Sequence, residues 1–266
     1  MANGYIENIE KWKTLTDIDY FTYFIKAWIS FNAWYRNHYQ NVNSDREAIN
    51  KIKNKNNTIR SKSIGLLNNN NTSEESTTFK TALSSLHKSL LELLIENEGK
   101  RLSFEGMVID IDRNNLRLNH TFSKMTYFIE VTESRGSVTK VVCTVKNKAN
   151  VTIMNYSHTE YSDSHLRSHN QFNQLSDAQK QEVINIFQQA NPFKLESLLT
   201  TDPNNHIKIG NFTFVKNEEK IFKCLIEILY GLRNSLFHGE IVPNKDHKKV
   251  YEHAYKMLKI LLDTVE

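Results

Sequence analysis

The chain has 266 residues, 39% of them hydrophobic and 24% charged, with a net charge of +4. That length suits one large domain or one domain carrying an insertion, and the apolar share is enough for a packed core. No run of about 18 apolar residues occurs, which excludes a helical membrane span, and the two cysteines, Cys143 and Cys224, are too isolated for a disulfide framework or a thiolate metal site.

The first residues, Met-Ala-Asn-Gly-Tyr-Ile-Glu, lack the charged-then-apolar pattern of a signal peptide, so a cytoplasmic location with reduced thiols is expected. The mild basicity tolerates a nucleic-acid partner without demanding one.

In chain order, the first predicted element is a helix from Asp17 to about Tyr39. Phe21, Ile25, Trp28, Asn32 and Tyr35 recur on it at helical spacing, and Thr16 or Asp17 can cap it. Residues 40–80 are rich in Asn and Lys and poor in apolar residues. They predict a mobile, basic loop around a short helix. A second helix is expected over Thr78–Asn97, with Leu83, Leu86, Leu90, Leu93 and Leu94 on it and Gly99 as its stop.

From Phe104 to Tyr156 the periodicity changes. Met125–Thr132, Val138–Lys146 and Val151–Tyr156 are rich in Val, Ile, Thr and Tyr, with turn residues at 134–136 and 147–150 between them. Helices then resume: one after the cap Ser176 to Ala190, one after Asn217 to Phe237 with Gly239 beyond it, and one over His247–Val265. No internal repeat is present. The expected fold is mainly α: an up-and-down helical bundle with a mostly β, antiparallel-hairpin insertion. Its segments are 1–100 (N-terminal helices and the basic loop), 101–175 (the insertion) and 176–266 (C-terminal helices).

The segment Arg233-Asn234-Ser235-Leu236-Phe237-His238-Gly239 carries the chemistry of most interest. Histidine moves protons near neutral pH, and arginine holds a phosphate at two points and stabilises its developing charge. RNA supplies its own nucleophile, the 2′-hydroxyl. Arg-to-His spacing is weak by itself, since Arg113 and His120 give a second match in a polar stretch without strong helical period. Context favours the later pair. Ile221, Leu225, Ile228, Leu229, Leu232 and Leu236 form one apolar face, while Phe222, Ile226, Tyr230 and Phe237 form an adjacent stripe, together an arc of about 200°. Arg233 falls inside that second stripe, where a charge needs a partner or a task. The stripe is either a subunit interface or a face packed on the insertion. Ordinary capping and dipole interaction at a helix end remains the competing explanation of Arg233 and His238.

The segment resembles the Arg-polar-x-x-x-His motif of HEPN-domain ribonucleases, with Asn234 as the polar residue. Trp28-x-x-Phe31-Asn32-x-Trp34-Tyr35 resembles the first helix of several such proteins, and the likeness covers about 15–40 and 215–265 but not the β insertion. The resemblance implies a HEPN-like helical bundle and metal-independent RNA cleavage through a 2′,3′-cyclic phosphate. In it Arg233 holds the phosphate, Asn234 positions it, and His238 acts as general acid or base. It also implies a homodimer with a composite site, no cofactor, and a toxin–antitoxin or antiviral-defence setting with an antitoxin or regulatory partner. Glu240 stands where adenylylated HEPN toxins carry Tyr, which argues against that form of control. The alternative is a non-catalytic HEPN-like module that binds RNA, nucleotide or a protein.

Further candidates are weaker. Asn32 can brace Arg233 or the phosphate, or make a local hydrogen bond. Lys51, Lys53, Lys55 and Arg60 can track an RNA backbone, or coat a solvated loop. His158, His165 and His169, with Glu160 and Asp163, have ligand chemistry but complete no established metal motif, so no metal is assigned.

Overall fold

In a computed structural model of the chain, residues 19–134 and 137–265 are described. Their order is α1 (Tyr20–His38), α2 (Asp45–Asn54), α3 (Thr58–Leu67), α4 (Glu74–Leu93), β1 (Glu96–Asn97), β2 (Lys100–Arg101), β3 (Glu105–Met107), β4 (Arg117–Phe122), β5 (Met125–Ser134), β6 (Ser137–Lys146), β7 (Thr152–His158), α5 (Asp163–Ser168), α6 (Asn170–Asn173), α7 (Asp177–Gln189), β8 (Glu196–Ser197), β9 (His206–Ile209), β10 (Phe212–Val215), α8 (Glu218–Phe237) and α9 (Lys245–Leu262). Helix accounts for 49% and strand for 21%, so the fold is an α+β mixture and the expectation of a mainly α bundle is corrected. Strands of two to four residues carry too little alternation to register in a sequence, and several of the strands are of that length.

The chain divides into two compact units: the residues up to Met107 together with those from Ser197 onward, and Val108–Glu196. The expected boundaries at 100/101 and 175/176 therefore shift. The α7 helix, which sequence places at the start of the terminal helices, belongs to the second unit and begins with a capping box of Ser176 and Gln179.

In the first unit, α9 packs against both α1 and α4, while α8 takes α2 and α3 on its flank. Asp19 caps α1, its carboxylate accepting from the Phe21 and Thr22 amides at 3.1 and 3.3 Å. The Thr16 and Asp17 caps expected from sequence lie outside the described residues, as do Arg135 and Gly136 of the expected 134–136 turn.

Residues 40–80 are not a mobile loop. They fold into α2, α3 and the start of α4, capped in turn by Ser44, Asn57 and Ser73. Each helix buries only a few apolar side chains: Ala48, Ile49 and Ile52 from α2, then Ile59, Leu66 and Leu67 from α3. Their low apolar content hid them, because tertiary packing rather than propensity holds short helices. The buried Asn57 amide ties the junction, donating to the Ile52 and Lys55 carbonyls at 2.9 Å each while its oxygen accepts from the Arg60 amide at 2.8 Å.

The α4 helix ends at Leu94 in left-handed backbone (φ +48°). Gly99, expected to stop it, instead sits at φ +69° in the turn between β1 and β2. A further hairpin, β9–β10, pairs Ile209 with Phe212 across the two-residue turn Gly210-Asn211. At Gly231 α8 runs close against Leu102, since a Cβ there would stand 2.4 Å from a Leu102 methyl.

The second unit holds the antiparallel meander β4-β5-β6-β7. Alternation along β5 puts Tyr127, Ile129 and Val131 inside, and Val141, Cys143 and Val145 follow on β6. The amphipathic α7 helix covers that face with Val183, Ile186 and Phe187. Cys143 and Cys224 are both buried and not joined in a disulfide, and burial pushes the Cys143 thiol up to about 12.

One interior group makes stability pH-dependent. His87 of α4 is fully buried, neither ring nitrogen has a hydrogen-bond partner among the described residues, and the rings of Phe104, Phe212 and Phe214 surround it. Burial first, and the charge of Arg101 second, lower its pKa from 6.5 to about 4. Between those values the unfolded chain binds the extra proton. The contribution of neutral His87 is therefore complete above pH 6.5 and is lost as pH falls toward about 4. His87→Leu is expected to abolish about 2 kcal/mol of stability loss between about pH 7 and pH 5, read from urea midpoints. A variant as acid-sensitive as the parent over that range contradicts this role.

Candidate functional site

Helix α8 carries the Arg-to-His segment on its final turns. The helix starts where the Asn217 side chain accepts from the Lys220 amide at 2.9 Å, with Glu218 and Glu219 in the first turn. It closes by a paired C-terminal motif: the Glu240 amide bonds the Ser235 carbonyl at 2.9 Å and the Gly239 amide the Leu236 carbonyl at 3.3 Å. Gly239 takes φ +70°, the left-handed turn that motif requires.

Arg233 is held on several sides. One terminal nitrogen donates to Asn234 Oδ1 at 2.8 Å, and the other approaches Asp45 Oδ2 at 3.4 Å. The guanidinium carbon lies 4.8 Å from the centre of the Phe237 ring. Its Nε is buried and, among the described residues, has no hydrogen-bond partner. Asp45 pairs in addition with Arg36 of α1. Asn32 donates its amide to the Tyr35 hydroxyl at 2.6 Å. Burial, then the charge of Asp45 and a hydrogen bond to it, raise the Tyr35 phenol well above its ordinary range. A continuous polar line therefore runs Asn32–Tyr35–Asp45–Arg233–Asn234. Asn32 reaches Arg233 only through Tyr35 and Asp45, not directly.

His238 occupies the C-cap position and is exposed, with no hydrogen bond to its ring among the described residues. Residues five apart on a helix are turned about 140° from one another. Arg233 and His238 therefore leave α8 in different directions. Beside His238, hydrogen bonds from Asn97 and Ser235 together with the histidine's own charge hold the exposed Glu240 carboxyl below its usual range.

The second apolar stripe of α8 is largely covered from within the first unit. Phe222 and Ile226 are fully buried, α2 and α3 pack on α8, and Tyr230 lies between Trp28 and Arg46. Only Phe237 of that stripe stays exposed, at 55%. The wide arc is explained by α2 and α3, which lie where the sequence predicts a loop.

The four basic candidates separate. Lys53 has only 5% of its side chain exposed, and its ammonium sits 2.7 Å from the buried Glu227 carboxylate. It is a structural cation, corrected from the expected RNA contact. Arg60 pairs with Glu219 at 2.6 Å, and Lys51 with Glu47 at 3.6 Å. Lys55 is exposed and, among the described residues, unpaired. Arg113 and His120 are each engaged by a carboxylate, Glu133 at 2.8 Å and Glu182 at 3.0 Å, which accounts for that second Arg-to-His match structurally.

Sequence reasoning missed Asp45, Arg36 and Glu227, and it placed Arg46 only as the start of a basic run that could track RNA. Glu227 did leave a signal, since it is the one acid in the apolar run Leu225-Ile226-Glu227-Ile228-Leu229 and such a carboxylate requires partners. It receives two: Arg46 binds both carboxylate oxygens at 2.8 and 2.7 Å, and Lys53 binds Oε1. Asp45 gave none beyond its place after the cap Ser44.

No protein-family model matches the chain, and no curated protein or solved structure matches it.

Burial pushes the Glu227 carboxyl up, but Lys53 and Arg46 together overcome it, so the net shift is downward. With a folded pKa below the unfolded value of 4.5, this cluster contributes fully above that pH and is lost as pH falls through the folded value. Glu227→Ala is expected to cost about 3–5 kcal/mol in urea unfolding at neutral pH, because it strands the buried Lys53 ammonium. Glu227→Met combined with Lys53→Met should recover most of that loss. A single variant within about 1 kcal/mol of the parent shows that the cluster does not hold α2 on α8.

Proposed function

We propose that the chain is a metal-independent endoribonuclease whose site is built on Arg233, Asn234 and His238. The observation that carries this reading is the end of α8. There a partly exposed guanidinium, aligned by Asn234 and Asp45, stands one and a half turns from an exposed imidazole, and among the described residues neither the arginine Nε nor the imidazole ring has a hydrogen-bond partner. Two-point phosphate contact and proton transfer near neutral pH are what cleavage by an internal nucleophile requires. The resemblance of the Arg233–His238 segment to HEPN ribonucleases supports the same chemistry.

In this reading the 2′-hydroxyl gives up its proton and its oxygen attacks the adjacent phosphorus. The bond to the 5′-oxygen breaks, and that oxygen takes up a proton. The products are a 2′,3′-cyclic phosphate and a 5′-hydroxyl. Arg233 neutralises the extra charge on the phosphorane oxygens. Asn234 fixes the guanidinium plane, and His238 transfers a proton. Because Arg233 and His238 diverge on one helix, a complete site joins the arginine of one chain with the histidine of a second, so the working form is a homodimer. A toxin–antitoxin or antiviral-defence role, with an antitoxin or regulatory partner, is part of the same proposal.

A second reading has its own support. Asp45 already compensates the charge of Arg233, an arrangement suited to a HEPN-like module that holds RNA, nucleotide or protein without turning it over. One experiment separates the two: incubation of mixed RNA with the protein in EDTA. Catalysis predicts cyclic-phosphate ends and a loss of about 10²-fold or more in rate for Arg233→Ala and for His238→Ala. RNA retained without products, and unaffected by His238→Ala, selects the binding module. Cleavage by both variants at the parent rate removes the ribonuclease site.

A further inference from the structure

The second unit contains a constellation that the proposed ribonuclease chemistry does not use. Strand β7 ends at His158, the chain passes Glu160, and the short α5 helix brings His165 back over the strand end. One ligand-capable atom from each of His158, Glu160 and His165 lies within 4.8 Å of the other two. The rings of His158 and His165 have their centroids 4.2 Å apart.

Local geometry prepares these residues. Ser162 caps α5 by accepting from the His165 amide at 3.3 Å, which fixes where that side chain leaves the backbone. The Nδ1 atom of His158 lies 3.0 Å from the Glu160 amide nitrogen and 3.2 Å from the Glu160 carbonyl oxygen. The Glu160 amide donates to Nδ1 in this arrangement; an ion at Nε2 requires the other tautomer, in which that bond is given up and Nδ1–H donates to the Glu160 carbonyl instead. A ring N–H donated to a backbone carbonyl is the support that orients metal-bound histidines. Glu160 and His165 are exposed, so an ion has an open approach.

Two neighbours that sequence had grouped with these residues stand apart from them. Asp163 is engaged by Arg167 one turn along α5. His169 lies beyond the end of α5, its Nδ1 is buried, and its ring packs edge-on against Tyr156 at 5.4 Å. The i,i+4 spacing of His165 and His169 therefore does not produce the pair; His158 supplies the second imidazole.

We propose that His158, Glu160 and His165 form a binding site for a divalent transition ion of the zinc type. Two imidazoles and one carboxylate are the donor set that suits a borderline-soft ion and disfavours calcium or magnesium. Tetrahedral zinc with bonds of about 2.0–2.2 Å needs its ligand atoms about 3.3 Å apart, and the exposed Glu160 and His165 side chains can close that gap by rotation about their χ angles. Water completes the coordination. The bound ion links the end of β7 to α5, and Glu160 to both.

The test is calorimetric titration of the intact, EDTA-stripped chain with zinc chloride, paired with a thermal melt. The site predicts one zinc per chain and a melting temperature that rises with zinc. His158→Ala and His165→Ala should each weaken binding by at least about tenfold, and Glu160→Gln should weaken it measurably. His247→Ala, in the other unit, should bind as the parent does. Binding below one equivalent, or binding that survives the combined His158→Ala and His165→Ala substitutions, overturns the proposal. The readout is independent of RNA cleavage, so its failure leaves the Arg233 site untouched.

Discussion

The buried carboxylate of Glu227 is the point on which the first unit turns. An uncompensated charge in that interior is prohibitive, so α8 can bury its second apolar stripe only if cations arrive with the helix that covers it. Arg46 and Lys53, both on α2, meet that requirement. Their pairing docks α2 on α8 in one orientation, and the first residue of α2, Asp45, then faces Arg233. The alignment of the candidate phosphate-binding arginine is thus a consequence of an ion cluster nearly two helical turns away on the same helix.

The same constraint explains the charge pattern around α8. Inside the unit, positive charge is matched by carboxylates: Lys53 and Arg46 by Glu227, Arg60 by Glu219, Arg36 and Arg233 by Asp45. The basic character of residues 46–62 is therefore largely spent on folding. At the end of α8, Arg233 shares one carboxylate with Arg36 and keeps part of its guanidinium exposed, and His238 projects past the last turn.

Sequence alone revealed the elements whose period is long and unbroken. The apolar stripes of α1, α8 and α9 and the alternation along β5, β6 and β7 place these elements to within a few residues. It failed over α2 and α3 because each buries few apolar residues, and those count only once α8 lies beneath them. The β9–β10 hairpin was legible in principle, since Gly210-Asn211 between two alternating segments is a hairpin signal. Of the candidate site, Arg233, Asn234 and His238 were visible as residue types in a helical context. Asp45 was not, because its role depends on a pairing between positions 188 residues apart. Lys53 was misread for the same reason: a lysine in an Asn-rich segment looks solvated until Glu227 is placed beside it. The histidine cluster was seen as a group, but the pair that converges is set by the end of a strand rather than by helical spacing.

The divergence of Arg233 and His238 on one helix is the claim most open to direct measurement. Two chains, one carrying Arg233→Ala and the other His238→Ala, can be unfolded together, refolded as a mixture and assayed on RNA in EDTA. A site shared between chains predicts that the mixture regains about a quarter of parental cleavage, since about half of the randomly paired dimers are mixed and each of those carries one intact arginine–histidine pair of its two. A mixture as inactive as either variant alone, formed from chains shown to exchange, contradicts a site shared in this way.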